Sequence, residues 1–437
     1  MAIKRRNKMS ERNFMATNNV IAVSAQLRET EINTEQTLDT AMLWNMASMI
    51  DIDPRRQNND SEAHGKEEVD YIYDRGNLAI WPAAHDLAQP QNIAFLMGYA
   101  MGNVVTAAQG DGYKHTITPI AGFLDANRDN PSFTAAQRYG QQVFKRRFAS
   151  MFVDSVTTTF ARDSFLKIAG SVKGTGKYTD NIVEETVAAA KNATSLTLAA
   201  LGVEGSTAAL RLANVQRIKV ELTSGVWTEV AYSAVSGATP AVITISAPGG
   251  TADVVNYKIL FIPTEDTWKT FPSRVNESPL EIASTIFNIG GKWSGSAFEG
   301  GRTLSAEIKS LEHTFNNNGE VQYVPGAGGT YGGRYMRGGR TQTIKLDREL
   351  REFIMQKHML DNDTFGIYLL ARGALYDATY YYQAEYIFPK VAVLKAPLSV
   401  DGKRLAEAGD LQVLEDDTYG SAIVTVQNLQ SKYAGVA

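Results

Sequence analysis

The side chains that could do chemistry are few and far apart. Five histidines, His64, His85, His115, His313 and His358, never fall at a metal-ligand spacing such as H-E-x-x-H. His358 stands beside Lys357 on an expected helix and reads as a surface residue. The stretch from Gly170 through Gly174, Gly176 and Lys177 is reminiscent of a phosphate loop. Its spacing is one residue too long, and Tyr178 stands where a hydroxyl must reach magnesium. The glycines between Gly326 and Gly333 miss the dinucleotide pattern, because Tyr331 holds its third position. Glu184 with Glu185, and Asp416 with Asp417, are adjacent and point apart on a strand, so neither pair makes an acid/base couple. The aromatic run from Tyr380 to Phe388 has the types that stack on bases, but at strand spacing it reads as sheet packing. The catalytic, cofactor-binding and metal-binding sets are therefore all empty, and no enzyme is expected.

Composition narrows the class. The chain has 437 residues, enough for two or three domains, with 44% hydrophobic and 21% charged residues. A formal net charge of −4 supplies no global attraction to nucleic acid or an acidic membrane. There is no cysteine, which removes disulfides, thiolate metal sites and thiol nucleophiles. No apolar run reaches the ~18 residues of a membrane span, nor does the start read as a signal peptide, so assembly in the cytosol is expected. Thirty-six glycines, nineteen tyrosines and little long helical periodicity point to a mainly β fold with a few helices.

The elements that any function must use begin with a phrase that occurs twice. Val153 to Phe160 and Ile308 to Phe315 alternate apolar and polar residues at period 2, so each reads as a half-buried strand. Ile308 aligns with Val153, Leu311 with Val156 and Phe315 with Phe160; chance agreement of two β-rich segments is the alternative. Phe148, Phe152, Val156 and Phe160 are expected on one face, with Met151, Val153 and Ser155 on the other. Breaks at Arg162 to Ser164 and Asn316 to Gly319 suggest a hairpin after each phrase, the second spanning Glu307 to Tyr323.

Residues 1–20 form a polar arm in which Lys4, Arg5, Arg6, Lys8 and Arg12 face the single acid Glu11. A solvated tail or a partner-binding arm is expected. A first β domain spans 21–184. It starts with a strand at Val20 to Leu27, then a long polar loop from Asp53 to Lys66, then strands at Glu68 to Tyr73 and Leu78 to Trp81. A helix begins at Pro90, carries Ile93, Leu96, Met97, Ala100 and Met101, and closes at Gly102. A strand at Tyr113 to Ile120 follows. Residues 185–263 change style, with short Val/Ile/Leu/Thr runs, including Ala209 to Leu212, at the spacing of an immunoglobulin-like sandwich. A second β domain, 264–437, has a helix capped by Asp347 and strands at Gln342 to Leu346, Gly366 to Ala371, Tyr380 to Leu394, Gly409 to Leu414 and Ala422 to Gln427.

The strands around Tyr71 and Ile80, the helix from Pro90 to Gly102, the strand Tyr113 to Pro119 and the hairpin from Pro131 through Phe148 to Phe160 and on to Gly170 resemble the tail tube (major tail) proteins of long-tailed bacteriophages. Residues 67–180 carry the likeness and residues 264–430 repeat it more loosely. The resemblance implies tandem tail-tube-type β-sandwich or half-barrel units, each with one flanking helix, plus the inserted immunoglobulin-like sandwich. It implies a virion structural protein that self-assembles into stacked rings, the conduit for DNA ejection, built in the host cytoplasm. Its partners would be copies of itself, three chains standing for six subunits ahead of a plain hexamer, and other tail proteins. Duplex DNA would pass without sequence-specific binding; no cofactor and no membrane is implied. The arm Lys4 to Arg12 and the loops 53–66 and 325–340 would join ring to ring. The alternatives are another virion component, such as a baseplate hub or decoration protein, or a carbohydrate- or surface-binding module.

Overall fold

The computed structural model describes residues 16–435 apart from 64, 121–129, 140–143, 163, 265–269, 305 and 325–329. The charged arm from Lys4 to Arg12 and His64 thus lie outside the described residues. The chain is mainly β, with 55% strand and, among the described residues, three short α-helices. In chain order the elements before the insert are β1 Val20–Val23, β2 Thr40–Met42, β3 Asp51–Asn58, β4 Ile72–His85, α1 Pro90–Met101, β5 Gly102–Gln109, β6 Gly112–Pro119, β7 Phe133–Tyr139, β8 Phe144–Ala161, β9 Lys167–Gly174 and β10 Tyr178–Asp180. The insert holds β11 Val183–Ala190, β12 Ser195–Thr197, α2 Ala208–Asn214, β13 Val215–Thr223, β14 Val226–Glu229, β15 Tyr232–Val235, β16 Val242–Ile245 and β17 Val254–Phe261. After it come β18 Glu281–Trp293, β19 Phe298–Thr303, β20 Ile308–Asn316, β21 Glu320–Gln322, β22 Arg334–Met336, β23 Thr341–Glu349, α3 Ile354–Asp361, β24 Phe365–Leu375, β25 Tyr381–Lys395, β26 Leu398–Asp401, β27 Arg404–Val413 and β28 Ile423–Asn428.

Two compact units result, one of Met1–Val20, Ala136–Arg147 and Tyr178–Phe271, the other of Ile21–Ala135, Phe148–Lys177 and Pro272–Ala437. In the first, a four-stranded sheet β11-β17-β13-β14 and a three-stranded sheet β12-β16-β15 share one core. Leu196, Val235 and Ile243 come from the small sheet, and Ile218, Tyr257, Ile259 and Phe261 from the large one. The strand expected at Ala209 to Leu212 is instead helix α2. The Thr207 hydroxyl accepts the Leu210 N–H at 3.2 Å, and the alanines and leucines that follow are strong helix formers.

In the second unit, residues from both sides of the insert share one core. Pairing places eight antiparallel strands side by side as β3-β4-β9-β8-β20-β23-β27-β26. A second layer runs β5-β6-β28-β25-β24-β18-β19. Strand β25 also pairs with β27 and so belongs to both layers. All twelve residues of α1 are buried in this unit. Its sequence is apolar nearly all round, as full burial requires. Gly102 ends it at φ +85°, and a Cβ there would fall 2.3 Å from the Ile120 side chain, so only glycine fits.

Several expectations need correction. The polar run from Asp53 is no loop, since Asp51–Asn58 is strand β3, paired with β4 from Asp51–Ile80 to Asn58–Ile72. Nearly every side chain of that strand faces water, so no period-2 signal marks it. The strands expected at Glu68 to Tyr73 and Leu78 to Trp81 are one strand, β4, and the first strand stops at Val23. Phe152 does not share a face with Phe148, Val156 and Phe160. A bulge between Val153 and Ser155, with Ser150 at φ +50°, turns Phe152 onto Tyr335 and Val321 and leaves Met151 and Val153 in the core. The hairpin Glu307 to Tyr323 does not form, because β20 pairs with β8 and β23 while β21 pairs with β22. Asp347 caps nothing. It stays in β23, whose pairing with β27 runs on to Glu349, and α3 begins only at Ile354.

Candidate assembly surface

Most side chains that could do chemistry are engaged structurally, although the Nδ1 of buried His85 has no hydrogen-bond partner among the described residues. The buried His115 ring sits between Thr106 Oγ1 at 2.8 Å and the Gln430 carbonyl at 2.9 Å. Burial pushes His313 down to about 4, against one contact with Gln342. His358 is not a free surface residue. Its ring packs on Phe365 and its Nδ1 lies 2.7 Å from Asp363. The phosphate-loop lookalike is strand β9 and the turn after it, and Lys177 Nζ donates to the Asn33 carbonyl at 2.7 Å. Glu184 lies near Lys258 and Arg217, while Glu185 accepts the Ala199 N–H. Asp416 accepts the N–H groups of Thr418 and Tyr419. Of the aromatic run, Tyr382, Tyr386 and Phe388 point into the core. Among the described residues no group of three or more His, Cys, Asp or Glu is placed to hold a metal, and no helix is long and apolar enough to cross a membrane.

Four buried acids that the sequence did not mark are also occupied. Glu29 accepts from Ser132, Thr134 and Ser150. Arg348, fully buried, binds Glu407 at 2.7 Å and Glu307 at 3.2 Å, and its third nitrogen donates to the Glu352 carbonyl. Glu277 accepts the Gln91 N–H at 2.7 Å in the first turn of α1, and burial pushes it up to about 8. Isolated in the sequence, these groups carry no spacing signal.

What the second unit does present is a broad sheet face. Register fixes which side chains share it. One row runs Ala84, Ala169, Thr157, Thr314, Thr343, Gln412 across six strands. The next runs Lys167, Thr159, Glu312, Lys345, Asp410, and beyond it lie Ala161, Ser310, Asp347, Ala408. On the other side come Pro82, Ser171, Ser155, Asn316, Thr341. None of these residues is buried. Two basic and three acidic side chains make the four rows almost neutral, and acids and bases alternate along Glu312, Lys345 and Asp410. The neighbouring Lys173 is held by Asp154 at 2.7 Å.

The opposite face is sealed. Val156, Thr158 and Phe160 of β8 and Leu311, His313 and Phe315 of β20 are buried, and Thr158 Oγ1 lies 3.1 Å from the Tyr386 hydroxyl. The two matched phrases are therefore neighbours, paired from Ser155–Asn316 to Ala161–Ser310. At the margins of the sheet, β3 pairs only with β4 and β26 only with β27 among the described residues. All four residues of β26 are exposed. Beyond the sheet the β3–β4 hairpin projects with Val69, Tyr71, Ile72 and Tyr73 exposed. At its base, Arg55 lies over the Tyr323 ring and the Tyr323 hydroxyl donates to the Asn77 carbonyl at 2.5 Å, so the β21–β22 ladder flanks it.

No protein-family model matches the chain, and no curated protein matches it. The surface itself is thus the ground for a functional reading. Among the described residues it offers two strand edges without a further pairing partner, a polar sheet face and an exposed hairpin.

Proposed function

We propose that the chain is a structural subunit of a bacteriophage tail tube, assembling with copies of itself into stacked rings that form the conduit for DNA ejection. The order of strands in the large sheet supports this. β3-β4-β9-β8 is followed along the sheet by β20-β23-β27-β26. In each set the second strand leads into a helix at the same distance, His85 to Pro90 and Glu349 to Ile354. In each set a later hairpin, β8–β9 or β26–β27, sends its second strand back to pair with the strand before that helix. The sets read as tandem tube-type units, and the β8–β20 junction as an internal copy of the contact between subunits.

That junction carries the reading. A unit that joins its neighbour by strand pairing leaves one open strand at each end of the chain's sheet, and these are β3 and β26. Head-to-tail pairing of such edges is heterologous and gives a closed ring when the rotation closes. Three chains then supply six units. The almost neutral sheet face would line the conduit, since a wall rich in Lys and Arg would hold duplex DNA by counterion release. The immunoglobulin-like insert would lie outside the wall, and other tail proteins would meet the ends of the tube in the virion.

Electron microscopy of the purified protein tests it. Rings or tubes with threefold symmetry and six lobes are expected. Leu398→Lys with Val400→Lys should leave a folded chain by circular dichroism but abolish rings, because lysines block an edge. A wild type that stays monomeric at high concentration, or rings indifferent to both lysines, would refute the proposal. Six chains per layer would refute the two-unit reading alone.

A further inference from the structure

The tip of the β3–β4 hairpin carries charge that nothing in its own unit answers. Between Asn59 and Tyr71 stand Asp60, Glu62, Glu67, Glu68 and Asp70, against the single base Lys66. Lys66 is spent on Asp70, and Glu62 accepts the Tyr73 hydroxyl at 2.7 Å. Among the described residues no cation pairs with Asp60, Glu67 or Glu68. Beside these acids Tyr71 and Ile72 are 59% and 58% exposed, with Val69 and Tyr73 next to them. An acidic rim around an uncovered aromatic strip fits a segment that is basic and interspersed with apolar residues.

One such segment lies at residues 1–15. Residues 1–15 hold Lys4, Arg5, Arg6, Lys8 and Arg12 against Glu11, with Ile3, Met9, Phe14 and Met15 among them. The balance is five bases to one acid, the mirror of the five acids to one base at the hairpin tip. We infer that the hairpin tip of one copy docks the basic N-terminal arm of a second copy. This deepens the stacked-ring reading, because it names the pair of surfaces that would join one layer to the next. The contact should be steered by charge and weakened by salt, since exposed charges are screened beyond about 10 Å at 0.1 M ionic strength.

A fluorescent peptide of residues 1–15, titrated with dilute full-length protein, tests this without requiring tubes. Binding should weaken at least tenfold between 50 and 300 mM salt as an order of magnitude. It should also weaken at least tenfold in the Asp60→Lys, Glu67→Lys, Glu68→Lys variant, whose changes are all exposed and should leave the fold intact by circular dichroism. A peptide with Lys4, Arg5, Arg6 and Lys8 changed to Glu should bind that variant better than it binds the wild type. Equal binding of the native peptide to both proteins, or none at 50 mM salt, would overturn the inference. Peptide binding by a chain that never forms rings would uphold this contact while sinking the tail-tube reading.

Discussion

Helices α1 and α3 follow β4 and β23 at the same distance, yet they sit at opposite depths. Every residue of α1 is buried, whereas Met355 is the only buried residue of α3. Phe95 of α1 lies 4.9 Å from the Phe133 ring and 5.2 Å from Tyr99, inside a cluster that includes Trp44 and Trp81. Leu360 of α3 is 76% exposed. The difference teaches that periodicity locates a helix but not its depth, which is set by how many strands return to cover it. Strands β6, β9, β25 and β28 all contact α1.

The strongest way to break the comparison is Phe95→Ala. A fully buried aromatic truncated inside a ring cluster should cost about 3–5 kcal/mol of unfolding free energy in a denaturant titration. A loss below about 1 kcal/mol would mean that α1 is not the keystone its burial implies.

A second test uses pH. Glu277 holds an N–H of the first turn of α1, and among the described residues α3 has no counterpart to it. Burial raises the folded Glu277 carboxyl from 4.5 to about 8, so the folded chain binds a proton that the unfolded chain releases. The stability this confers is complete below pH 4.5 and is lost as pH rises through about 8. Glu277→Gln should flatten that slope in urea midpoints measured from pH 4.5 to 9. Parallel curves for the two proteins would show that Glu277 is ionised in the fold. The smallest effect is expected for Leu360→Ala in α3, within about 0.5 kcal/mol by thermal unfolding. A larger loss would place α3 against a surface that these contacts do not include.

The sequence made legible whatever obeys one-sided burial. β8 and β20 alternate because one face meets the core, and α1 announced itself through Pro90 and Gly102. β3 was illegible because water covers both of its faces, and α2 because its apolar residues suit either a strand or a helix. The repeated phrase marks two strands that pair with each other, a relation that likeness of sequence does not reveal. Of the candidate surface, the exposed edges and the row of threonines were beyond reach, because register between distant strands is a tertiary property. The acidic tip and the basic arm were readable as charge counts, but only the structure shows that no cation among the described residues pairs with Asp60, Glu67 or Glu68.

The insert begins and ends on one rung. Val183, at the start of β11, faces Phe261, at the end of β17, across a single antiparallel pair. Such partners stand about 5 Å apart, so everything between them returns to where it left. To the remainder of the chain the sandwich is therefore equivalent to a short turn, whatever its size. A gene could lengthen, exchange or lose that module through recombination without altering the span that must be bridged. Variation among descendants of this sequence should accordingly concentrate between those two residues.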